Sequence, residues 1–357
     1  MKKVAVVGIQ GVPAKYGGFE SLVENIIGEN CSQNVEYTVF CSGKDYTERQ
    51  KTYKGVALKY IETFHANGWQ STFYDIISML RCLSGGYDTV MILGVSGCIF
   101  LPVFRWLYRG KLIVNIDGLE HKRDKWSKWQ RRFLKHSEAM AVRHADVVIA
   151  DNKGIKDYVT ETYGKPSTLI AYGGDHVRHD VPQERQEEIL RQFGVTRGTY
   201  GISVCRIEPE NNCHVTLEAF EKTGQPLVFV GNWENSEYGR KLKGRYQACR
   251  YMKLVDAIYD LDVLYTLRNN ARCYVHGHSA GGTNPSLVEA MFLGKPIFAY
   301  DVVYNRETTL NKASYFKDSC ELAELITRAV PDGSEMRILA EMHYTWKRIA
   351  EQYESIY

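Results

Sequence analysis

The chain has 357 residues, 44% of them hydrophobic and 24% charged, with a formal net charge of +3. That length and balance suit a globular protein of about two domains, each large enough for its own core. So small a net charge argues against a dedicated nucleic-acid binder.

The nine cysteines, an odd number with no C-x-x-C pair, read as free thiols in a reducing compartment. The opening run MKKVAVVGIQ is too short, and too soon broken by Gly8 and Gly11, for a signal peptide. No stretch reaches membrane-spanning length, so a cytoplasmic location is expected.

In chain order, residues 3–7 read as a strand, 8–17 as a glycine-rich loop and 18–28 as a helix. Further strands are expected at 36–41, 88–93, 111–116, 145–150 and 167–171. The most apolar region, 89–107, reads as a buried strand, a glycine loop and a helix. A boundary is placed near Tyr172, after which the pattern restarts with strands at 200–205, 226–230, 273–276 and 296–300. The tail, 341–357, reads as one helix with Trp346, Ile349, Tyr353 and Ile356 on one face. Strands alternating with helices imply parallel sheets covered on both faces, with ligands beyond the carboxyl ends of the strands. The loops after the strands are therefore where candidate site residues belong.

The segment HGHSAGGTNPSLVEAM, 276–291, carries the strongest signal. Gly281 and Gly282 give a flexible step, Thr283 or Asn284 a cap, and Pro285 suits a first helical turn. Such a helix directs its free N–H groups and positive end at an anion, and Glu289 on the same helix can accept from hydroxyls. An anion beside a diol describes a nucleotide sugar, although an ordinary capped helix would show the same residues.

The loop 8–20, GIQGVPAKYGGFE, lacks G-x-G-x-x-G and G-x-x-x-x-G-K-[ST], which removes the main support for a dinucleotide enzyme or an ATPase. Gly17 and Gly18 fit beside a phosphate, beside an acceptor sugar, or in a structural turn. In SVCRIEPENN, 203–212, Arg206 at a strand end suits bidentate bonds to phosphate, or a surface ion pair. After the strand at 111–116, Asp117, Glu120 and His121 stand where catalytic or acceptor-orienting groups belong. A helix cap for Asp117 and solvated surface for the others explain them equally well.

Residues 121–136, HKRDKWSKWQRRFLKH, hold seven Lys or Arg against one Asp, interleaved with Trp126, Trp129 and Phe133. A basic aromatic helix of this kind suits an anionic membrane surface; a solvated helix is the plain alternative. The D-x-D string Asp260-Leu-Asp262 reads as a helix cap. His276 and His278 lack a nearby third ligand, so no metal is assigned.

These strings together resemble the retaining family 4 glycosyltransferases of the GT-B fold. VPAKYGGFES, VNIDGLEHKR, YGGDH, RIEPENN, LRNNARCYVHGHSAGGTNPSLVEAM and DVVYNRETT are most similar to a bacterial rhamnosyltransferase-type branch of capsule and cell-surface polysaccharide assembly. The resemblance implies two Rossmann-like domains facing across a cleft: an acceptor domain at 1–172, a nucleotide-sugar domain at 173–340, and a tail helix at 341–357 crossing back to the first. It implies transfer of L-rhamnose from dTDP-rhamnose to a lipid-linked saccharide with retention and without a metal or cofactor.

By the same resemblance Glu289 matches the second acid of an E-x7-E motif and binds ribose, while Gly281 stands where the first acid belongs. Arg206 matches the diphosphate arginine, but the usual lysine is replaced in the 210–212 stretch, shifting the load onto Arg206, helix N-termini and Arg268. Donor binding is thus expected at Gly17, Gly18, Arg206, Gly281, Gly282, Thr283, Asn284 and Glu289. Acceptor binding is expected at Lys15, Tyr16 and His121, and catalysis at Arg206, Asp117 and Glu120. The partners are a nucleotide-diphosphate sugar, a lipid-linked saccharide and the inner membrane face, with no nucleic acid. A sugar-nucleotide epimerase, or a non-catalytic nucleotide-sugar or glycan-binding subunit, stays open as an alternative.

Overall fold

A computed structural model describes residues 1–15, 17–31, 33–63, 69–116, 118–122, 126–329 and 331–357. The chain divides into two compact units, Met1–Tyr172 with Trp346–Tyr357, and Gly173–Thr345.

The first unit is built on an eight-stranded sheet: β1 (Lys2–Val7), β2 (Val35–Ser42), β3 (Thr52–Tyr53), β4 (Val56–Ile61), β5 (Thr89–Leu93), β6 (Lys111–Asn115), β7 (Val147–Ala150) and β8 (Thr168–Leu169). The spatial order is β3-β4-β2-β1-β5-β6-β7-β8, parallel except for the antiparallel β3–β4 pair. Five helices join these strands: α1 (Gly18–Glu29), α2 (Gln70–Cys82), α3 (Leu101–Leu107), α4 (Lys128–His144) and α5 (Lys153–Tyr163). The central strands β1 and β5 are apolar runs without alternation, and Val4, Val6, Val90 and Ile92 are fully buried. Burial of both kinds of face is what a parallel sheet with helices on each side requires.

The second unit has a six-stranded, wholly parallel sheet: β9 (Gly201–Val204), β10 (Leu227–Val230), β11 (Met252–Val255), β12 (Cys273–His276), β13 (Ile297–Tyr300) and β14 (Ser314–Phe316), in the order β11-β10-β9-β12-β13-β14. Its helices are α6 (Gln183–Gln192), α7 (Cys213–Thr223), α8 (Glu237–Tyr246), α9 (Leu261–Asn269), α10 (Pro285–Phe292), α11 (Val303–Thr308), α12 (Ser319–Thr327) and α13 (Ser334–His343). In each sheet the strand order reverses at one place, β1/β5 in the first and β9/β12 in the second. Loops leaving such a pair diverge and open a crevice, the usual ligand position in this kind of sheet.

The tail departs from the single helix expected at 341–357. The chain leaves α13 at His343 and starts a new helix, α14 (Trp346–Ser355), which packs against α1 in the first unit. The break has a local cause: the Tyr344 carbonyl accepts from Gly174 N at 3.0 Å, and the Tyr344 hydroxyl donates to Thr308 O at 3.0 Å. Both bonds hold Tyr344 to the second unit. Trp346, Ile349, Ala350 and Tyr353 form the buried face of α14. The Tyr353 hydroxyl accepts from Asn115 Nδ2 at 2.9 Å at the end of β6.

Four strands are not evident in the sequence. Lys54 and Gly55, at φ 47° and 80°, turn β3 into β4 through a two-residue loop. Positive φ at both positions is the geometry usually announced by Asn-Gly, which Lys-Gly does not announce. β11 and β14 are short edge strands with partly exposed residues, so they lack a buried run.

Candidate functional site

In the second unit the loops after β9 and β12 leave the sheet side by side at the strand reversal, where a ligand crevice is expected. These loops are stitched together. Asn212 Nδ2 donates to Gly277 O at 2.9 Å, and Ser279 donates to Glu210 O through its backbone N (2.9 Å) and its hydroxyl (2.8 Å). Gly277 is required for this approach, since a Cβ there would lie 2.3 Å from Asn211 O. Arg206 projects from the β9 loop with its side chain exposed. Its own carbonyl accepts from Asn211 Nδ2 at 2.7 Å, which fixes the backbone that carries the guanidinium.

After β12 the chain runs through Gly281, whose φ of 121° favours glycine, then Gly282 and the buried Thr283 into α10. Asn284 is the cap: its Oδ1 accepts from Ser286 N at 3.1 Å and from the Ser286 hydroxyl at 2.8 Å. Pro285 occupies the first helical position. The N-terminal end of α10 lies beside the end of β9, since the Tyr274 hydroxyl is 3.3 Å from Val204 O and 3.0 Å from the Ser286 hydroxyl, and it carries the positive end of the helix dipole.

Glu289, one turn into α10, is already engaged. Arg268 of α9 reaches its Oε2 at 2.6 Å, and His176 Nε2 lies 3.3 Å from its Oε1. Burial by itself would raise the carboxyl, but the Arg268 guanidinium and the His176 contact outweigh it and hold Glu289 at about 2. The group is thus a carboxylate at neutral pH, and its two oxygens keep acceptor capacity for further hydroxyls. Arg268 is 4% exposed, so it serves Glu289 from beneath the crevice. His176 belongs to the YGGDH string but carries no periodic or motif signal that marks it as a partner of a residue 113 positions away (289 − 176).

His276 and His278 stack face to face at 4.2 Å between ring centroids. Burial pushes His276 down to about 3, so it is neutral. Asp260 caps α9, its Oδ1 accepting from Asp262 N at 3.0 Å and Val263 N at 3.1 Å.

In the first unit the loop after β1 folds back onto α1. Gln10 N donates to Glu20 Oε1 at 2.9 Å and Ala14 N to Glu24 Oε2 at 2.6 Å. Gly17, at φ 123°, admits the Glu20 carboxylate, since a Cβ there would lie 2.0 Å from Glu20 Oε2; Gly18 begins α1 and is exposed. Lys15 donates to Asp45 O at 2.6 Å and lies 4.4 Å over the Tyr46 ring, so it is held at the edge of β2. Tyr16 lies outside the described residues, as does Asp117.

A cavity of about 280 Å³ opens at the β1/β5 reversal. Phe19, Trp69, Trp126 and Phe133 give it aromatic walls, and Thr72, Ser96, Glu120 and Gln130 give it polar ones. Trp69 and Phe133 meet edge to face at 4.7 Å, and Trp126 Nε1 donates to Glu120 Oε2 at 3.0 Å. Beneath it, Asp75 accepts from Gly97 N and the Ser96 side chain; burial still raises its carboxyl to about 7. Of the first-unit site candidates, Glu120 lines this cavity.

His121 does not. Its Nδ1 lies 2.9 Å from Oε2 of the buried Glu138, whose other oxygen accepts from the hydroxyls of Tyr158 (2.7 Å) and Tyr163 (2.6 Å). Burial would raise Glu138, yet these hydrogen bonds bring it to about 2. Nor does one helix cover 121–136. A 3-10 turn spans Glu120–Lys122, and α4 starts only at Lys128, where Ser127 and Gln130 form a capping box. Trp126 and Phe133 turn into the cavity, leaving Trp129 exposed.

Residues 1–175 match a domain of unknown function, DUF1972, and residues 185–346 match the family described as Glycosyl transferases group 1. No curated protein matches in sequence. Among solved structures, sucrose-phosphate synthase from Thermosynechococcus elongatus is similar over 100% of this chain and 98% of its own, at TM-score 0.82 and 15% identity. The Anabaena protein HepE in complex with UDP-glucose covers 99% of this chain and 98% of its own, at TM-score 0.77 and 16% identity. The catalytic domain of starch synthase IV from Arabidopsis thaliana, bound to ADP and acarbose, covers 99% and 98% at TM-score 0.75 and 11% identity. The fold is that of the GT-B glycosyltransferases.

Proposed function

We propose that the protein moves a sugar from a nucleoside-diphosphate donor to a saccharide acceptor, a reading supported by the match of residues 185–346 to the family described as Glycosyl transferases group 1. One observation carries the reading. Arg206 and the Gly281–Glu289 segment leave neighbouring strands at the sheet reversal, with a cation, a helix N-terminus and an ionised carboxylate on one crevice. Arg206 and the α10 N-terminus take the diphosphate, and Glu289 accepts from the ribose hydroxyls. UDP-glucose in HepE and ADP in starch synthase IV support a ligand of that class.

In the reaction the bond from the anomeric carbon to the diphosphate oxygen breaks, and negative charge develops on the leaving group. A preorganised donor aimed at that charge is worth about 3 kcal/mol in the transition state. The acceptor oxygen bonds to the anomeric carbon, and its proton passes to a diphosphate oxygen. With retention, attack comes from the leaving-group side. The acceptor sugar lies in the aromatic cavity of the first unit, where ring faces cover its C–H surface and Glu120 and Gln130 take its hydroxyls. Glu120 orients it there. The donor is dTDP-L-rhamnose and the acceptor a lipid-linked saccharide of surface polysaccharide assembly, a reading that rests on the sequence resemblance.

The test is a donor panel with lipid-linked acceptors, read by product mass. Rhamnosyl transfer that disappears in Glu289→Ala, with that variant still folded, is the expected result. Donor turnover without acceptor would replace the reading with an epimerase, and nucleotide binding without transfer to any acceptor would replace it with a binding subunit.

A further inference from the structure

The exposed side of the first unit carries aromatic and cationic residues that the crevice and cavity do not use. α3 shows Val103 at 51%, Trp106 at 76% and Leu107 at 45% exposure. On α4 the exposed stripe runs Lys128, Trp129, Arg132, His136 and Arg143, with Trp129 at 80%. This spacing follows one face of a helix.

The two helices lie side by side. Ser137 of α4 donates to Val95 O just ahead of α3, and Arg105 of α3 reaches Asp146 just past α4, at 2.9 Å. α3 therefore runs along the second half of α4, the half that carries His136 and Arg143, while Lys128, Trp129 and Arg132 continue the exposed stripe on the first half. Arg131, Arg132, Lys135 and His136 line a groove on α4, and Arg109 is exposed directly after α3.

Charge sign decides the partner. α3 has no carboxylate, and the single one of α4, Glu138, is buried among its own partners. Asp146, beside them, is paired with Arg105. A face with large apolar tips, several cations and no unpaired acid fits an interface that is apolar below and anionic above. Tryptophan partitions to that depth, and each cation near an anionic leaflet adds to binding. Among the described residues no helix is long and apolar enough to cross a membrane, so contact of this kind is with the surface.

We infer that α3 and α4 together form a docking face for anionic phospholipid, with Trp106, Leu107 and Val103 as the apolar anchor and Arg132, Arg143 and Lys128 as the headgroup contacts. This differs from a basic helix at 121–136, because two of that segment's three aromatic residues face the cavity and the main apolar anchor is α3. It rests on the reading that the acceptor is lipid-linked, and it places the protein where such an acceptor is held.

Flotation of the full chain with vesicles measures it directly. Binding is expected to phosphatidylcholine vesicles containing phosphatidylglycerol, to fall as salt rises, and to be absent on phosphatidylcholine alone. Trp106→Ser and Trp129→Ser should each weaken it about tenfold. Arg132→Gln with Arg143→Gln should weaken it about thirtyfold at low salt, at about fivefold per cation. Transfer to a short, water-soluble acceptor, run in parallel, should be unchanged in all four substitutions. Failure of the unaltered chain to float on anionic vesicles would overturn the proposal. So would flotation of the Trp106→Ser, Trp129→Ser double variant at the unaltered level, or a dimer in solution that these substitutions dissociate. Loss of soluble transfer in the unaltered chain, with vesicle binding intact, would sink the catalytic reading alone.

Discussion

Arg268 and Arg206 are both cations of the second unit, but their surroundings assign them different work. Arg268 is buried against the Glu289 carboxylate, so Arg268→Leu leaves that largely buried charge without its arginine partner. A cost of about 3–5 kcal/mol is expected, read by denaturant unfolding. Arg206 is exposed, so Arg206→Ala should leave unfolding unchanged while lowering transfer by about 100-fold or more. Glu289 also sets a pH dependence. Its folded value, about 2, lies below the usual carboxylate range. Its contribution to stability is therefore fully present above pH ~4 and lost as pH falls toward 2. Glu289→Gln should flatten that acid limb. From the sequence alone Glu289 is legible as a carboxylate near the start of a capped helix. Its pairing with Arg268 and His176 is not, because both come from other elements and nothing in local spacing records a contact across the fold.

At the scale of elements, loop-bearing strands were the legible part. Runs such as VAVV and TVMIL announce buried parallel strands, and the loops after them line the first-unit cavity. Helix starts were less legible. The charge run at 121–136 drew attention to its own length, whereas Ser127 and Gln130 decide where α4 begins. Ser127→Ala should cost about 1 kcal/mol through loss of that cap, measured by thermal unfolding. The aromatic cavity could not be read from order alone, since Trp69 and Phe133 meet only once α2 and α4 are packed. Asp75 beneath it supplies a pH test of opposite sign. Its folded value, about 7, lies above the unfolded one, so its contribution is fully present below pH ~4 and is lost as pH rises to 7. Asp75→Asn should remove that decline across pH 4–7.

At the scale of the whole molecule, the chain builds one sheet, then a second, then returns its last helix to the first unit. The return is secured by tightly packed apolar and aromatic groups: Tyr353 on Asn115, and Tyr357 against Tyr37 with rings edge to face at 5.8 Å. Tyr37, Tyr353 and Trp346 are all nearly inaccessible. Ending the chain after Thr345 should therefore destabilise the first unit and spare the second. Hydrogen exchange would show it as faster exchange in β1, β2 and β6 with β9 and β12 unchanged.

The proposed transfer requires a nucleoside diphosphate held in the second unit between Arg206 and Glu289. Calorimetric titration with TDP and UDP tests this without an acceptor or a membrane. The chain should bind at least one of them. Arg206→Ala should weaken that binding tenfold or more while keeping the unfolding temperature, and Glu289→Gln should weaken it as much at a temperature where the variant remains folded. Equal affinity in the unaltered chain and both variants would contradict it.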